Sequence, residues 1–364
     1  MKLPSFNIGD IKVQIPIVQG AMGIGVSMHR LAAAVANEGG IGVISGAQTG
    51  FLESDFRQNN NSANINGLIK EIRKTRELSP NGIIGVNFLA AAVNNYVELV
   101  TAAVKEKVDL VISGAGLPKN LPELVKNSST KIAPIVSSGK AASTISKIWD
   151  RNYNYLPDAI IVEGPEAGGH LGFSMSQLLE NNAPNLMEIV KDVIEAIKPF
   201  ELKHNKKIPI IAAGGLFDGK DIADALNNGA AGVQLATRFV VTEECDAHIN
   251  FKKAYIDAQK DDLRLIKSPV GLPGRAIYNN FIKKADENLH AIKSCYKCLK
   301  TCNPATTPYC ITDALIDSVT GNAKEGLIFA GSNVHRINKM TTVKELMKEL
   351  ISEAEIYFKG PEEK

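Results

Sequence analysis

The chain of 364 residues contains no run approaching the roughly 20 apolar residues that a membrane-crossing helix needs. Aromatic residues make up 6% and the formal net charge is +2, so neither a basic field nor an aromatic–basic alternation favours nucleic acid or anionic membrane. The opening segment MKLPSFNIGDIKVQIPIVQGAM lacks the continuous apolar core of a signal peptide. Cysteine is scarce, at five residues. These absences predict a cytoplasmic protein with a small-molecule substrate, whose thiols are reduced or metal-bound rather than paired. No Pro/Ser-rich linker divides the chain.

What the sequence does have is a repeated beat. Apolar runs recur at 15–18, 41–44, 83–87, 110–113, 132–136, 159–163, 208–212 and 232–235, each followed by a turn and a helical pattern. They are apolar on both faces, as in a sheet covered on both sides. Between them lie RLAAAVANE, NINGLIKEIRKTREL, NNYVELVTAAVKEK and NLMEIVKDVIEAIKPFELK, which carry the helical period. Such alternation predicts parallel strands with right-handed crossovers, and eight units predict a TIM (β/α)8 barrel. The rival doubly wound sheet concentrates its glycines after the first strand. Here they follow almost every strand, at Gly20, Gly23, Gly46, Gly114, Gly116, Gly139, Gly164, Gly214 and Gly215. That spread suits a barrel whose site gathers many loops at one end. The expected organisation is a barrel over 1–238, an inserted cap over 239–324 after the eighth strand, and a return segment with a closing helix over 325–364.

The stretch IPIIAAGGLFDGKDIADALNNGAAGVQLATRF carries the strongest chemical signal. Gly214 and Gly215 end the seventh strand and leave bare amides, while the eighth ends in Gln234, with Ala236, Thr237 and Arg238 opening the next turn. Barrels often bind phosphate at these two loops. Gly215, Ala236 and Thr237 are therefore candidate phosphate contacts, the alternative being glycines that only make tight turns. Other strand ends offer Gln19, Asn87 and bare backbone at Gly20–Gly23 and Gly114–Gly116, not the His and carboxylate pairs that hold a metal. Such groups suit a flat heterocycle with donors and acceptors on its rim, and FMN fits that description. A further stretch, IVEGPEAGGHLG at 161–172, empties a strand into glycines around His170, close to the acid Glu163.

The blocks PIVQGAMG, GGIGVISG, GVNFLAAA, ISGAGLP, VEGPEAGGHLG, PIIAAGG and GVQLATRF occur in that order. Each resembles a block of the FMN-dependent nitronate monooxygenase (2-nitropropane dioxygenase) family, which includes type II flavin enoyl-ACP reductases and NAD(P)H:quinone reductases. The resemblance implies FMN as cofactor and His170 as catalytic base or acid at the flavin face. It implies that Gly168 and Gly169 bring backbone against the ring, and that Glu163 binds the flavin or orients the loop. Further cofactor contacts fall on Ala21, Met22, Asn87, Gly114, Gly214, Gly215, Gln234, Ala236 and Thr237. The activity it implies is oxidation of nitronates or nitroalkanes with O2. Gln19-Gly20 in PIVQGAM resembles the reductase branches more than the APM form of nitronate monooxygenases. That keeps an enoyl-ACP or quinone reductase using NAD(P)H as the alternative, with an acyl carrier protein as partner only in that case. A flavin or metal redox sensor is the non-enzymatic alternative, and a homodimer is left open.

CYKCLKTCNPATTPYC places Cys295, Cys298, Cys302 and Cys310 within sixteen residues, a candidate zinc or iron–sulfur site. Reduced thiols packing a cap, or a redox-sensitive pair, are the other readings. Cys245 reads as a small buried residue. Among the weaker candidates, His29, His204, His248 and His290 read as surface or capping residues, while His335 belongs to the block SNVHRI that returns near the site. Arg275 could neutralise an anion at the mouth, or simply hold a turn.

Overall fold

The computed structural model describes residues 1–90, 93–287, 290, 292, 295–300 and 302–360. Eight strands form a closed parallel barrel. Before them, β1 (Phe6–Ile8) and β2 (Ile11–Val13) make an antiparallel hairpin. Its Ile8 and Val13 pack with Val18, Val43, Leu110 and Ile161, so the hairpin plugs the lower end of the barrel.

In chain order the barrel strands begin with β3 (Ile17–Gln19), β4 (Ile41–Ser45), β5 (Ile83–Leu89) and β6 (Leu110–Gly114). β7 (Lys131–Val136) and β8 (Ile160–Glu163) come next. After a two-residue outlier, β9 (Gly169–His170), the barrel closes with β10 (Ile210–Ala213) and β11 (Gly232–Leu235). β11 pairs with β3, Val233 opposite Ile17, which shuts the ring. The TIM-barrel expectation is met, and all eight apolar runs are barrel strands.

The connecting helices include α1 (His29–Asn37), α2 (Asn60–Leu78), α3 (Tyr96–Lys105) and α4 (Leu121–Leu124). They continue with α5 (Gly139–Tyr153), α6 (Met175–Leu179), α7 (Leu186–His204) and α8 (Gly219–Asn227). Local chemistry starts several of them. Asn185 with Glu188 and Asp218 with Asp221 form capping boxes at α7 and α8. At α1 the cap comes from far along the chain: Asp246 accepts from the amides of Met28, Arg30 and Leu31. Gly42 shows how tightly α1 docks, since a Cβ there would lie 1.8 Å from the carbonyl oxygen of Ala32.

After α9 (Thr237–Val240) and α10 (Ile249–Asp257), the chain makes an antiparallel hairpin, β12 (Leu263–Lys267) and β13 (Pro273–Ile277). By sequence this stretch reads only as turn-rich, because Pro273 and Gly274 interrupt the strand pattern. The partner that makes it a strand is non-local: β13 also pairs with β9, Gly274 opposite His170. α11 (Asn280–Asp286) and α12 (Ile311–Val319) join the hairpin in a small apolar cluster of Ile266, Phe281, Tyr309, Ile311 and Leu327. α13 (Val343–Tyr357) then packs back on the barrel against α8 and α1. Among the described residues no helix is long and apolar enough to cross a membrane.

Candidate active site

A cavity of about 310 Å³ opens at the C-terminal ends of the barrel strands. His170 and every cofactor residue chosen from the sequence, from Ala21 through Asn87 and Glu163 to Thr237, lie on its wall. Residues that follow the barrel strands supply further wall, among them Val270, Leu299, Ile311, Leu315 and Phe329.

The seventh and eighth barrel loops form one end. Gly214 and Gly215 take φ of 91° and 88°, the left-handed region that a side chain resists. The amides of Gly215, Ala236 and Thr237 donate to no described acceptor. Asn333 Nδ2 donates to the Gly215 carbonyl at 2.6 Å and holds that turn from the return segment. Glu166 stands beside it, its Oε2 2.7 Å from where a Cβ on Gly215 would be.

Further along, Gln234 Oε1 is buried without a hydrogen-bond partner among the described residues. A buried carbonyl oxygen left without a partner costs stability unless a ligand completes it, and Gln234 is part of the cavity wall. The Asn87 carboxamide also lines the cavity. Gln19 does not serve this way: it is fully buried, its Oε1 accepting from Val43 N at 3.0 Å and its Nε2 donating to the Gly20 carbonyl. Met22 lines the wall, yet its amide is committed to Ser27 Oγ at 2.8 Å. Gly168 packs on the backbone of Ala330 and Gly331, whereas Gly169 (φ 76°) has open space before it.

His170 is built in from three sides. β13 pairs with it, and the Leu171 amide donates to the Pro273 carbonyl at 2.8 Å. Arg275 donates to the carbonyls of Pro165 and Ala167, at 2.8 and 2.6 Å, and so fixes the loop before it. Phe329 meets the imidazole edge-on at 5.0 Å, and Ser268 Oγ lies 2.7 Å from Nε2. Burial pushes the His170 pKa down to about 4, so the ring is uncharged at neutral pH. Burial also pushes Glu163 up to about 7. Arg275 therefore serves the loop backbone, and Ser268 and Phe329 are site residues that sequence reasoning misses. Ser268 sits two residues before Val270, beside a Pro–Gly turn, with nothing local to mark it.

The profile described as Nitronate monooxygenase matches residues 5–353. The chain belongs to that family. A dehydrogenase from Rhodococcus jostii, acting on (3aS,4S,5R,7aS)-5-hydroxy-7a-methyl-1-oxo-octahydro-1H-indene-4-carboxyl-CoA, is 28% identical over 76% of this chain and 67% of its own. A probable nitronate monooxygenase of Bacillus subtilis is 24% identical over 93% of this chain and 95% of its own. Among solved structures, FabK from Thermotoga maritima superposes with a TM-score of 0.73 at 27% identity, covering 94% of both chains. A nitroalkane oxidase from Streptomyces ansochromogenes shares the fold at a TM-score of 0.73 and 22% identity, covering 95% of this chain and 97% of its own. As a member of the nitronate monooxygenase family the protein is an oxidoreductase, and flavin dependence is general in that family. The orphaned Gln234 oxygen, the Asn87 carboxamide and the left-handed glycines suit a flavin with a phosphate tail.

Among the described residues no three His, Cys, Asp or Glu side chains are grouped to hold a metal, and this includes Cys295, Cys298, Cys302 and Cys310, the four expected as a zinc or iron–sulfur site. Cys298 and Cys310 pack against one apolar cluster. Cys295 is exposed, and Cys298 turns to the cavity wall with its sulfur accepting from Thr312 Oγ1 at 3.2 Å. Cys310 packs in an apolar cluster with Phe56 and Tyr296. Cys245 is buried, as expected, its thiol donating to the Val26 carbonyl. His335 is not on the cavity wall and meets the Ser332 carbonyl instead.

Proposed function

We propose that the protein is an FMN-dependent oxidoreductase in which His170 takes a proton from a small carbon acid such as a nitroalkane. One observation carries the reading: a half-buried, uncharged imidazole lines the same cavity as Asn87 and Gln234, the latter with a side-chain oxygen that has no partner among the described residues. Gly215, Ala236 and Thr237 would hold the phosphate, and Gln234, Asn87, Ala21 and Gly114 the ring system. When bound, FMN supplies a two-electron acceptor that oxygen can reoxidise.

The chain's own residues do the rest. With its Nε2–H donated to Ser268 Oγ, the ring presents a bare Nδ1 as base. Negative charge growing on the substrate raises the ring's proton affinity as the proton moves. Phe329, with Val270, Leu299, Ile311 and Leu315, gives the cavity in which that transfer would occur an apolar wall. Gly169 leaves room for the substrate beside the ring.

A second reading, a reductase using NAD(P)H, rests on the same serine. Ser268 Oγ already accepts from Val270 N at 3.2 Å, and its hydroxyl proton has no described acceptor except His170 Nε2. Donation in that direction puts the ring proton on Nδ1. His170 is then a donor, as protonation of a reduced enoyl or quinone substrate requires. The test is anaerobic, with nitroethane, ethylnitronate, NADH and NADPH added to separate samples of purified protein. Bleaching of a flavin band by nitroethane supports the first reading. Rapid bleaching by a pyridine nucleotide, with none by nitroethane, selects the second. A colourless protein without releasable FMN overturns both.

A further inference from the structure

A carboxamide outside the predicted cofactor set also faces the cavity. Gln48 follows β4, takes φ of 51°, is 9% exposed, and lies on the cavity wall. A non-glycine residue held in the left-handed region is uncommon, and here a hydrogen-bonded array holds it. The array has one consistent orientation. The backbone amide of Gly50 donates to Asn64 Oδ1 at 3.0 Å, which fixes Asn64 Nδ2 as a donor. That nitrogen donates to Gln48 Oε1 at 3.1 Å and to Asn60 Oδ1 at 3.1 Å. Asn60 Nδ2 in turn donates to Gln48 Oε1 at 2.9 Å. Each amide is thereby assigned from a backbone N–H outward, and Gln48 Nε2 is left as the free end. Among the described residues nothing accepts from it.

The loop that follows Gln48 and the cavity wall it shares are largely apolar. The loop after Gln48 packs against the cap, with Phe51 in one cluster with Cys298 and Ile316. The strand-like contact of Val93 with Leu299 ties the cap to the loop after β5. Leu299, Ile311 and Leu315 then wall the cavity on the cap side. A nitroalkane of two or three carbons needs no such walls.

We propose that Gln48 is a specificity-determining residue, whose Nε2 donates to an acceptor oxygen on the apolar acyl or ring body of the substrate, away from the reacting carbon. The inference rests on the reading of this cavity as the substrate site of a flavin oxidoreductase. Ligand placement, not chemistry, is the role assigned. The locked donor would select apolar bodies carrying a carbonyl over hydrocarbon bodies of equal shape.

The experiment is isothermal titration calorimetry on the purified full chain with octan-2-one and with its methylene isostere 2-methyloct-1-ene, flavin content being recorded separately by absorbance. The native protein should bind the ketone roughly two- to tenfold more tightly, the span of one net hydrogen bond. Gln48→Glu keeps an acceptor for Asn60 and Asn64 but removes the free donor, and should erase or invert that preference. Gln48→Met should erase it while keeping affinity for the alkene. Both variants should keep the native flavin content. No ketone preference in the native chain, an unchanged preference in both variants, or loss of flavin on Gln48→Glu would each overturn the proposal. A native chain lacking flavin altogether would instead overturn the functional reading, and the calorimetry would still report on Gln48.

Discussion

At the scale of single residues the site runs on burial. His170 carries no charge at neutral pH because its surroundings solvate the imidazolium poorly, holding its pKa at about 4 against 6.5 for the free side chain. An unfolded chain binds a proton at His170 below pH 6.5 and the folded one does not, so this group's contribution to stability is present above 6.5 and is lost as pH falls through about 4. For catalysis, kcat/KM with nitroethane should stay level on the acid side until the pH nears about 4, then fall tenfold per unit. A pH–rate profile bending near 6.5 would show an ordinarily solvated ring. Gly215 is a second such point. At φ 88°, with Glu166 Oε2 2.7 Å from a would-be Cβ, Gly215→Ala adds left-handed strain of about 1–2 kcal/mol and a clash. FMN affinity, measured by fluorescence titration of stripped protein, should drop on the order of tenfold or more. Unchanged affinity would remove this turn from the phosphate site.

At the scale of elements, the cap hairpin makes the histidine loop a strand. β12 and β13 reach over the barrel, pair with β9, and bring Arg275 onto two loop carbonyls. Arg275→Met removes both bonds and should cost about 2 kcal/mol in stability by thermal or urea unfolding. The same change should lower kcat more than it raises KM, since the loop carrying His170 loses its anchor. Equal effects on both would make Arg275 a mere turn support. This hairpin also marks where the sequence becomes unreadable. Eight barrel strands are legible because each is a local apolar run covered on both faces, and the glycines after Ala213 and around His170 are legible as loops. β12 and β13 alternate imperfectly, with Pro273 and Gly274 in the second, and β13 takes its second partner from about a hundred residues away. Ser268 is hidden for the same reason: its meaning lies in its distance to His170, not in its neighbours. Gln19 misleads in the opposite direction, as a strand-end carboxamide that bridges β3 and β4 rather than facing the cavity.

At the scale of the whole molecule, a barrel provides the strand ends, and the stretch expected as the cap carries a small apolar cluster of its own and lines the same cavity. The cysteine-bearing segment belongs to that cap as wall and packing. Treatment with EDTA should therefore leave the thermal midpoint unchanged, and a fall of several degrees would reveal a structural metal. The central claim joins the cap to the barrel: a neutral His170, held by β13 and Ser268, acts as a base at the flavin site.

The most direct test compares the native chain with His170→Ala in anaerobic flavin reduction by nitroethane and by ethylnitronate. Ethylnitronate has already lost the proton that a base would remove. The native protein should be reduced by both, whereas His170→Ala should retain FMN, be reduced by ethylnitronate at a similar rate, and lose reduction by nitroethane on the order of a hundredfold or more. Equal reduction of the two proteins by nitroethane would contradict the role given to His170.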